Sequence, residues 1–279
     1  MKQRPLAVNL NRTLEIPYDR QLELICTAGF DGFFFLWDPA LDLDSLMKKA
    51  QSLGLTLQSI HAPFRKAADF WQTDPKKGQA AIEELMSCVD ACVQCGTDLL
   101  VVHAYIGFQH HDPTPIGLER FRQVVDYATE KKIRIAFENV EGGEYLDHLM
   151  TAFASNPYVG FCWDTGHELC YNRKVDQLAL YGDRLMGTHL NDNLGCQGDA
   201  ITSLDDLHLL PFDGLADWED IVRRLHRHRF PGFLTFELKL KNKVPCSQSE
   251  AYQKMPYGAF LKEAFTRACK LRSMLEALE

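Results

Sequence analysis

Eight short apolar runs, each followed by a stretch of helical period, constrain this chain more than any other feature. The runs cover residues 6–11, 32–37, 55–62, 99–104, 133–140, 159–164, 185–191 and 232–238. Several are rich in Val, Ile, Phe and Thr, the residues that suit a pleated, half-buried surface. Between and after them, residues 20–28, 42–53, 77–96, 115–131, 143–155, 170–181, 216–228 and 248–277 place apolar side chains at helical spacing. Asp42 and Ser45 offer a cap at the start of the second of these stretches, which stops before Gly54. Strand and helix alternating eight times, with no linker-like tract, predicts a parallel sheet and an α/β chain. At 279 residues the chain matches a single-domain (β/α)8 TIM barrel spanning residues 1–279, since such barrels typically run to about 250 residues. A doubly wound sheet would want a glycine-rich turn after the first strand. Here that turn reads Asn9-Leu10-Asn11-Arg12-Thr13, without glycine.

Composition narrows the class. Hydrophobic residues make up 46% and charged residues 24% of the chain, enough to bury a sizeable core in water. The net charge of −8 argues against a dedicated polyanion binder, whose footprint would be basic. Met1-Lys2-Gln3-Arg4-Pro5 leads directly into a strand-length run, so no signal peptide is expected. No stretch approaches the ~18–20 apolar residues of a membrane span. Nine cysteines, an odd number without framework spacing, point to a reducing cytoplasm. Cys88, Cys92 and Cys95 share one helical face and read as core packing, with Cys92 and Cys95 as a redox or zinc pair the lesser alternative.

The strand ends carry the chemistry. Run three ends in His61, run four in His103, and run five in Glu138 followed by Asn139. Run six ends in Asp164 with His167 one turn on, run seven in His189-Leu190-Asn191-Asp192, and run eight in Glu237. Asp206 and His208 sit in the loop after run seven. In a barrel the C-terminal ends of all strands meet at one mouth. A lone His61 or His103 would ordinarily be a hydrogen-bonded structural histidine. Glu138 and Glu237, however, close the apolar runs Ile135-Ala-Phe-Glu and Phe233-Leu-Thr-Phe-Glu, where a buried acid needs a cationic partner. Arg134 lies at the wrong end of its strand, and only Lys239 is placed to help. Three acids and several histidines with so little cation imply a divalent metal ion.

These residues also carry a resemblance. The segments Ala136-Phe-Glu138-Asn139, Trp163-Asp164-Thr165-Gly166-His167, Gly187-Thr188-His189-Leu190-Asn191-Asp192, Asp206-Leu207-His208-Leu209-Leu210-Pro211 and Phe236-Glu237 make the chain similar to the xylose-isomerase-like TIM-barrel superfamily over essentially its whole length. That group holds metal-dependent sugar isomerases and epimerases, and also endonuclease IV-type enzymes that cut DNA at abasic sites. The resemblance to the epimerase branch implies one divalent ion (Mn, Zn, Mg or Co) on Glu138, Asp164, His189 and Glu237. It implies Glu138 and Glu237 as the pair that moves a proton α to a carbonyl. His167 matches a substrate-touching histidine, and His61, His103, Asp206 and His208 fall where sugar hydroxyls would be bound. The resemblance to the endonuclease branch implies up to three zinc ions on His61, His103, Glu138, Asp164, His167, His189, Asp206, His208 and Glu237, and a hydrolytic reaction. The ligand pattern leaves both branches open.

Charge and loops favour the epimerase branch. A DNA-cutting enzyme must neutralise several phosphates, yet the clustered bases near the mouth are only Arg65, Lys66, Lys76 and Lys77, and residues 192–213 contain no Lys or Arg. Phe64, Phe70 and Trp71 in the loop 63–76 are candidates to cover one face of a sugar, with Trp71 the chosen substrate contact; they would equally wedge into DNA. The loop 105–114 carries His110 and His111. An arginine that grips substrate in some relatives, shortly after the run-seven histidine, is missing here. A neutral sugar, polyol or keto-inositol-like compound therefore fits better than a phosphorylated one. Acids at both Glu138 and Glu237 exceed what a non-catalytic sugar binder needs. Trp218 is expected to pack at the start of its helix, His226 and His228 among Arg223, Arg224, Arg227 and Arg229 to form a solvated face, and the last helix to offer a homo-oligomer contact.

Overall fold

The computed structural model describes residues 3–109, 112–172, 175–196, 198–242 and 247–278, with side chains described for all but residues 247–249. His110 and His111 lie outside the described residues. The chain runs β1 (Leu6–Asn9), α1 (Tyr18–Ala28), β2 (Gly32–Leu36), α2 (Leu43–Ser52), β3 (Thr56–His61), α3 (Pro75–Cys95), β4 (Leu99–His103), α4 (Pro115–Glu130), β5 (Arg134–Glu138), α5 (Gly143–Ala152), β6 (Val159–Asp164), α6 (Thr165–Cys170), α7 (Gln177–Tyr181), β7 (Leu185–His189), α8 (Trp218–Arg227), β8 (Leu234–Phe236), α9 (Ser247–Gln253) and α10 (Tyr257–Glu276). The strands form one parallel sheet in the order β7-β6-β5-β4-β3-β2-β1-β8. The last seam, between β7 and β8, is closed by the Leu190–Phe236 bridge and by the Thr188 hydroxyl, which accepts from Thr235 N at 3.1 Å. The chain is thus a single-domain, nearly closed TIM barrel. Among the described residues no helix is long and apolar enough to cross a membrane.

Strand period sets the layers. Leu100, Val102, Ile135, Phe137, Phe161 and Trp163 belong to the large cluster between sheet and helices. Their neighbours Leu99, Val101, Ala136 and Cys162 form a separate cluster inside the barrel. Side chains two residues apart share a face, so the inward parity continues to His103, Glu138 and Asp164 at the strand ends. The apolar interior is narrow, and its polar cap begins where each strand stops.

Several expected boundaries move. The stretch 170–181 is not one helix: α6 opens at Thr165, capped by the Asp164 carboxylate on His167 N at 2.7 Å, and α7 follows separately. Pro256 divides the last stretch into α9 and α10. Arg224 is not solvated. It is 9% exposed, donates to Glu168 at 2.8 Å and to Asp176 at 3.0 Å, and lies over the Trp163 ring. Trp218 does pack at its helix start, giving its indole N–H to Asp192 at 2.8 Å. The eight described cysteines are free thiols.

Candidate metal centre at the barrel mouth

Six strands deliver the donor side chains. β3, β4, β5, β6 and β7 end in His61, His103, Glu138, Asp164 and His189, and Glu237 follows directly on β8. The first turn of α6 adds His167, and the loop between β7 and α8 adds Asp206 and His208. His208 sits at φ 45, a conformation uncommon outside glycine, and strained backbone of this kind concentrates at functional sites. The loop is held from below by Asp192. Its fully buried carboxylate accepts from the backbone N–H groups of Asn193, Phe212 and Ala216 and from Trp218.

Glu138 is the hub. Its Oε2 lies 3.1 Å from both His61 Nε2 and His103 Nε2, and its Oε1 lies 2.9 Å from His189 Nδ1. The same His189 nitrogen is 3.1 Å from a Glu237 oxygen. Asp206 Oδ1 is 2.8 Å from His208 Nε2 and 3.4 Å from His167 Nε2. Three groups of donor atoms result, each spanning no more than 4.8 Å: His61, His103 and Glu138; Glu138, Asp164, His189 and Glu237; and His167, Asp206 and His208. His61, His103, Glu138, Asp164, His167, His189, Asp206, His208 and Glu237 are therefore brought together at the mouth, while Asp192 braces the loop behind them.

The hydrogen bonds behind the donors test whether an ion fits. His61 Nδ1 is 2.7 Å from Ala62 O, His167 Nδ1 is 3.0 Å from Asn139 O, and His208 Nδ1 is 3.1 Å from Glu237 O. A carbonyl only accepts, so these nitrogens carry the proton. In the neutral ring each Nε2 then presents a lone pair toward a carboxylate, an arrangement stable only with a proton or a metal ion between them. Backbone-anchored histidines of this kind are how proteins orient metal ligands. Glu138 and Asp164 are fully buried, and no lysine or arginine among the described residues pairs with either or with Glu237. A hard divalent cation suits this set of carboxylates and imidazoles.

Electrostatics follow from that crowding. Burial would raise Glu138, but His189 and the hydrogen bonds from His103, His189 and His61 outweigh it and hold the acid well below its ordinary range. Burial pushes Asp164 up to about 6, with His167 and His208 opposing and Glu138 and Glu237 adding to the rise. Burial would lower both His189 and His167, yet Cys162, Glu138 and Glu237 drive the first, and Asp164, Asp206 and Glu138 the second, well above the usual imidazole value.

Trp71, expected as a substrate contact, packs beneath its loop instead. The ring is 5% exposed, gives its N–H to Ala104 O at 2.8 Å, and packs against Tyr145 and Phe121. Phe70 is likewise buried, stacked on Phe121 at 4.1 Å. The short 3-10 turn Ala67–Trp71 drives both rings inward. Phe64 alone of the three reaches the site, stacked on His103 at 4.8 Å. Four further side chains shape the site. Phe34 from β2 stacks on His189 at 4.6 Å, and Tyr171 stacks on His167 at 5.0 Å. Asn139 brackets the Asp164 backbone, accepting from its N and donating to its O, and Asn191 donates to Asp164 Oδ2 at 2.8 Å. A Cβ on Gly166 would lie 1.9 Å from Asn191 Oδ1, so only glycine lets α6 start this close. The asparagines' adjacency to Glu138 and His189 was the available signal; nothing in sequence pairs Phe34 with His189.

Comparison with known proteins gives the family. The profile of the xylose isomerase-like TIM barrel matches residues 22–256. An uncharacterized protein, y4fM, of Sinorhizobium fredii is 28% identical over 273 aligned residues, covering 84% of each chain. Among solved structures, L-ribulose 3-epimerase superposes with a TM-score of 0.74 at 16% identity, covering 99% of this chain and 95% of that one. D-allulose 3-epimerase from Methylomonas sp., in complex with D-allulose, gives 0.72 at 16% identity, with 96% of each chain covered. The IOLI protein with a bound zinc atom gives 0.70 at 18% identity, with 98% of each covered. At these identities the superpositions speak for the barrel, while the profile covers most of the sequence: the chain belongs to the xylose isomerase-like TIM barrel family.

Proposed function

We propose that this protein is a divalent-metal-dependent isomerase or epimerase of a sugar or sugar derivative, working by proton transfer α to a carbonyl. One observation carries the reading: Glu138 and Glu237, from strands separated in sequence, both come within 3.1 Å of the same His189 nitrogen. Two carboxylates thus flank one point, as a reaction needs that removes a proton on one side and returns it on the other. Glu138, Asp164, His189 and Glu237 would hold the ion, whether Mn, Mg, Co or Zn, and a bound ion supplies positive charge to the carbonyl and neighbouring hydroxyl oxygens while the proton is away. Glu237 keeps 22% of its side chain exposed, against none for Glu138, so Glu237 is the acid better placed to meet an incoming substrate. Asn191 and the α6 amide fix Asp164; Asn139 O and Glu237 O fix the tautomers of His167 and His208. His61, His103 and His167 with Asp206 and His208 would bind substrate hydroxyls, and Phe64 and Tyr171 would cover its apolar faces. Several solved barrels of this shape are named as sugar 3-epimerases, which supports a small polyhydroxylated substrate.

A second reading is favoured by the completeness of the three donor groups: a multi-zinc phosphodiesterase acting on abasic DNA. Against it stand the acidic chain and the pairing of Lys66, one of the few bases near the mouth, with Glu84 at 2.9 Å. The test is elemental analysis of the purified protein together with two assays, a panel of ketoses and an abasic-site duplex. About one ion per chain and interconversion of a ketose are expected. Cleavage of the duplex without turnover of any ketose would replace the first reading with the second.

A further inference from the structure

We infer that Cys162 is a positioning residue for the candidate metal centre: its sulfur, one layer below Asp164 inside the barrel, partners His189 Nε2 and so leaves the Nδ1 lone pair for a cation. The inference rests on the metal-dependent reading, and its test separates the two. His189 is held differently from its neighbours. His61, His167 and His208 each commit Nδ1 to a backbone carbonyl, which only accepts and so fixes one tautomer. His189 turns the other way. Its Nδ1 lies 2.9 Å from Glu138 Oε1 and 3.1 Å from Glu237 Oε2, and its Nε2 is buried with no nitrogen or oxygen partner. An ion at Nδ1 takes that lone pair, so the proton of the neutral ring must sit on Nε2, where it needs an acceptor.

Strand register supplies one. Cys162 lies two residues before Asp164 on β6 and shares its inward face. Asp164 pairs with His189 and Cys162 with Gly187, so the thiol sits one layer under the imidazole, in the small cluster with Leu99, Val101 and Ala136. Gly187 places no side chain between them. The thiol hydrogen-bonds to the His189 ring, and with Nδ1 facing the two acids that bond falls to Nε2. A thiol suits the position because sulfur both accepts and donates weakly. It can take Nε2–H when an ion holds Nδ1, and give S–H to Nε2 when Nδ1 carries the proton between the acids. A carbonyl could serve only the first state. The rival acceptor is Thr235 Oγ1, also buried without a partner and brought level with His189 by the Leu190–Phe236 bridge.

The experiment is titration of the intact protein with zinc chloride, together with nitrogen NMR of labelled histidine in the metal-free and zinc-loaded forms, on wild type, Cys162→Ala, Cys162→Ser and Thr235→Val. The His189 resonances are those lost in His189→Gln, and melting curves check folding. In the zinc-loaded wild type His189 should carry its proton on Nε2. Cys162→Ala should shift the Nε2 resonance and weaken zinc binding about tenfold, the low end for a residue behind a metal ligand. Cys162→Ser should recover most of the affinity, and Thr235→Val should match wild type. Zinc bound through Nε2, wild-type affinity or an unmoved Nε2 resonance in Cys162→Ala, or the same loss in Thr235→Val would overturn the inference and leave the metal-dependent reading standing. A wild type that takes up no zinc, with an Nε2 resonance that still shifts in Cys162→Ala, would sustain the sulfur contact and remove the metal-dependent reading; with no shift, both fall.

Discussion

Glu138 shows how single residues decide this site. It has no surface open to water, and both of its oxygens face ring nitrogens. A carboxylate in that position is tolerable only while cations or protons surround it. Glu138→Gln keeps the shape but removes the charge and turns one acceptor into a donor aimed at His103 or His189. Turnover should fall by on the order of 10² to 10⁴, the usual worth of a positioned acid or base, with the melting temperature of the metal-free protein little changed. Glu237→Gln should lose turnover comparably. Steady-state kinetics on whichever ketose responds settles it: wild-type rates in either variant would end that residue's role in proton transfer. The six donors that close β runs could be read from sequence, because an ionisable residue there has few other reasons to be present, whereas His167, Asp206 and His208 were legible only through their resemblance to family motifs. Trp71 could not be placed, since an aromatic in a long loop looks the same whether it turns toward the mouth or under the loop. Lys239 was visible as the one nearby base, but only coordinates attach it to Asp206.

At the scale of elements, α3, α4 and the turn between β3 and α3 interlock through one buried guanidinium. Arg120 on α4 donates to the carbonyls of Asp69, Phe70, Gln72 and Asp74. A Cβ on Gly78 of α3 would fall 2.0 Å from its Cζ, and one on Gly117 would fall 2.1 Å from the Trp71 ring. Arg120→Met would leave buried carbonyls without donors, and should cost about 2–4 kcal/mol, read as a lower urea midpoint. A midpoint within error of wild type would show that water replaces the guanidinium. The cysteines of α3 give a second expectation. Burial raises the thiols of Cys88 and Cys92 and pushes Cys95 up to about 11. A thiol that holds its proton longer when folded contributes stability present below its unfolded pKa of about 8.5 and lost as pH rises above it. Stability should therefore decline from about pH 9 toward 11, by at most ~1.4 kcal/mol per pH unit for each such thiol, and Cys92→Ala should show a shallower decline in urea titrations. A redox or zinc role for Cys92 and Cys95 would instead make them reactive to thiol reagents at neutral pH. The run-and-helix pattern located all eight strands, because apolar period survives in a buried sheet. It overran strand ends by one to a few residues, since the residues that carry the site continue the apolar parity past the last ladder bond. It also put Arg224 in water, because an arginine-rich stretch does not reveal which guanidinium turns inward onto Trp163 and Glu168.

The barrel is thinly paired between β3 and β4, over two residues, and most thinly between β7 and β8, where the candidate metal centre lies. β1 pairs with both β2 and β8 over three residues each, and β4 with β5 over five, whereas β7 and β8 meet through the Leu190–Phe236 bridge and a threonine hydroxyl. His189 and Glu237, which end the two sides of that seam, sit in the same donor group, joined there by Glu138 and Asp164 from β5 and β6. An ion held by all four would bind the folded barrel and not the unfolded chain. It should add about 2.7 kcal/mol at a hundredfold excess over its dissociation constant. For a chain this long each kcal/mol is worth about 2–4 °C, so chelation should lower the melting temperature by roughly 5–10 °C. The loss should also be local. Amide exchange at Leu190 and Thr235, whose N–H groups cross the seam, should quicken on chelation far more than exchange in β3 and β4, which lie across the barrel from it. In Glu138→Gln, added Mn or Zn should restore neither the melting temperature nor the slow exchange. A melting temperature indifferent to chelator, or protection lost uniformly around all eight strands, would mean that the four side chains gather without an ion to hold them.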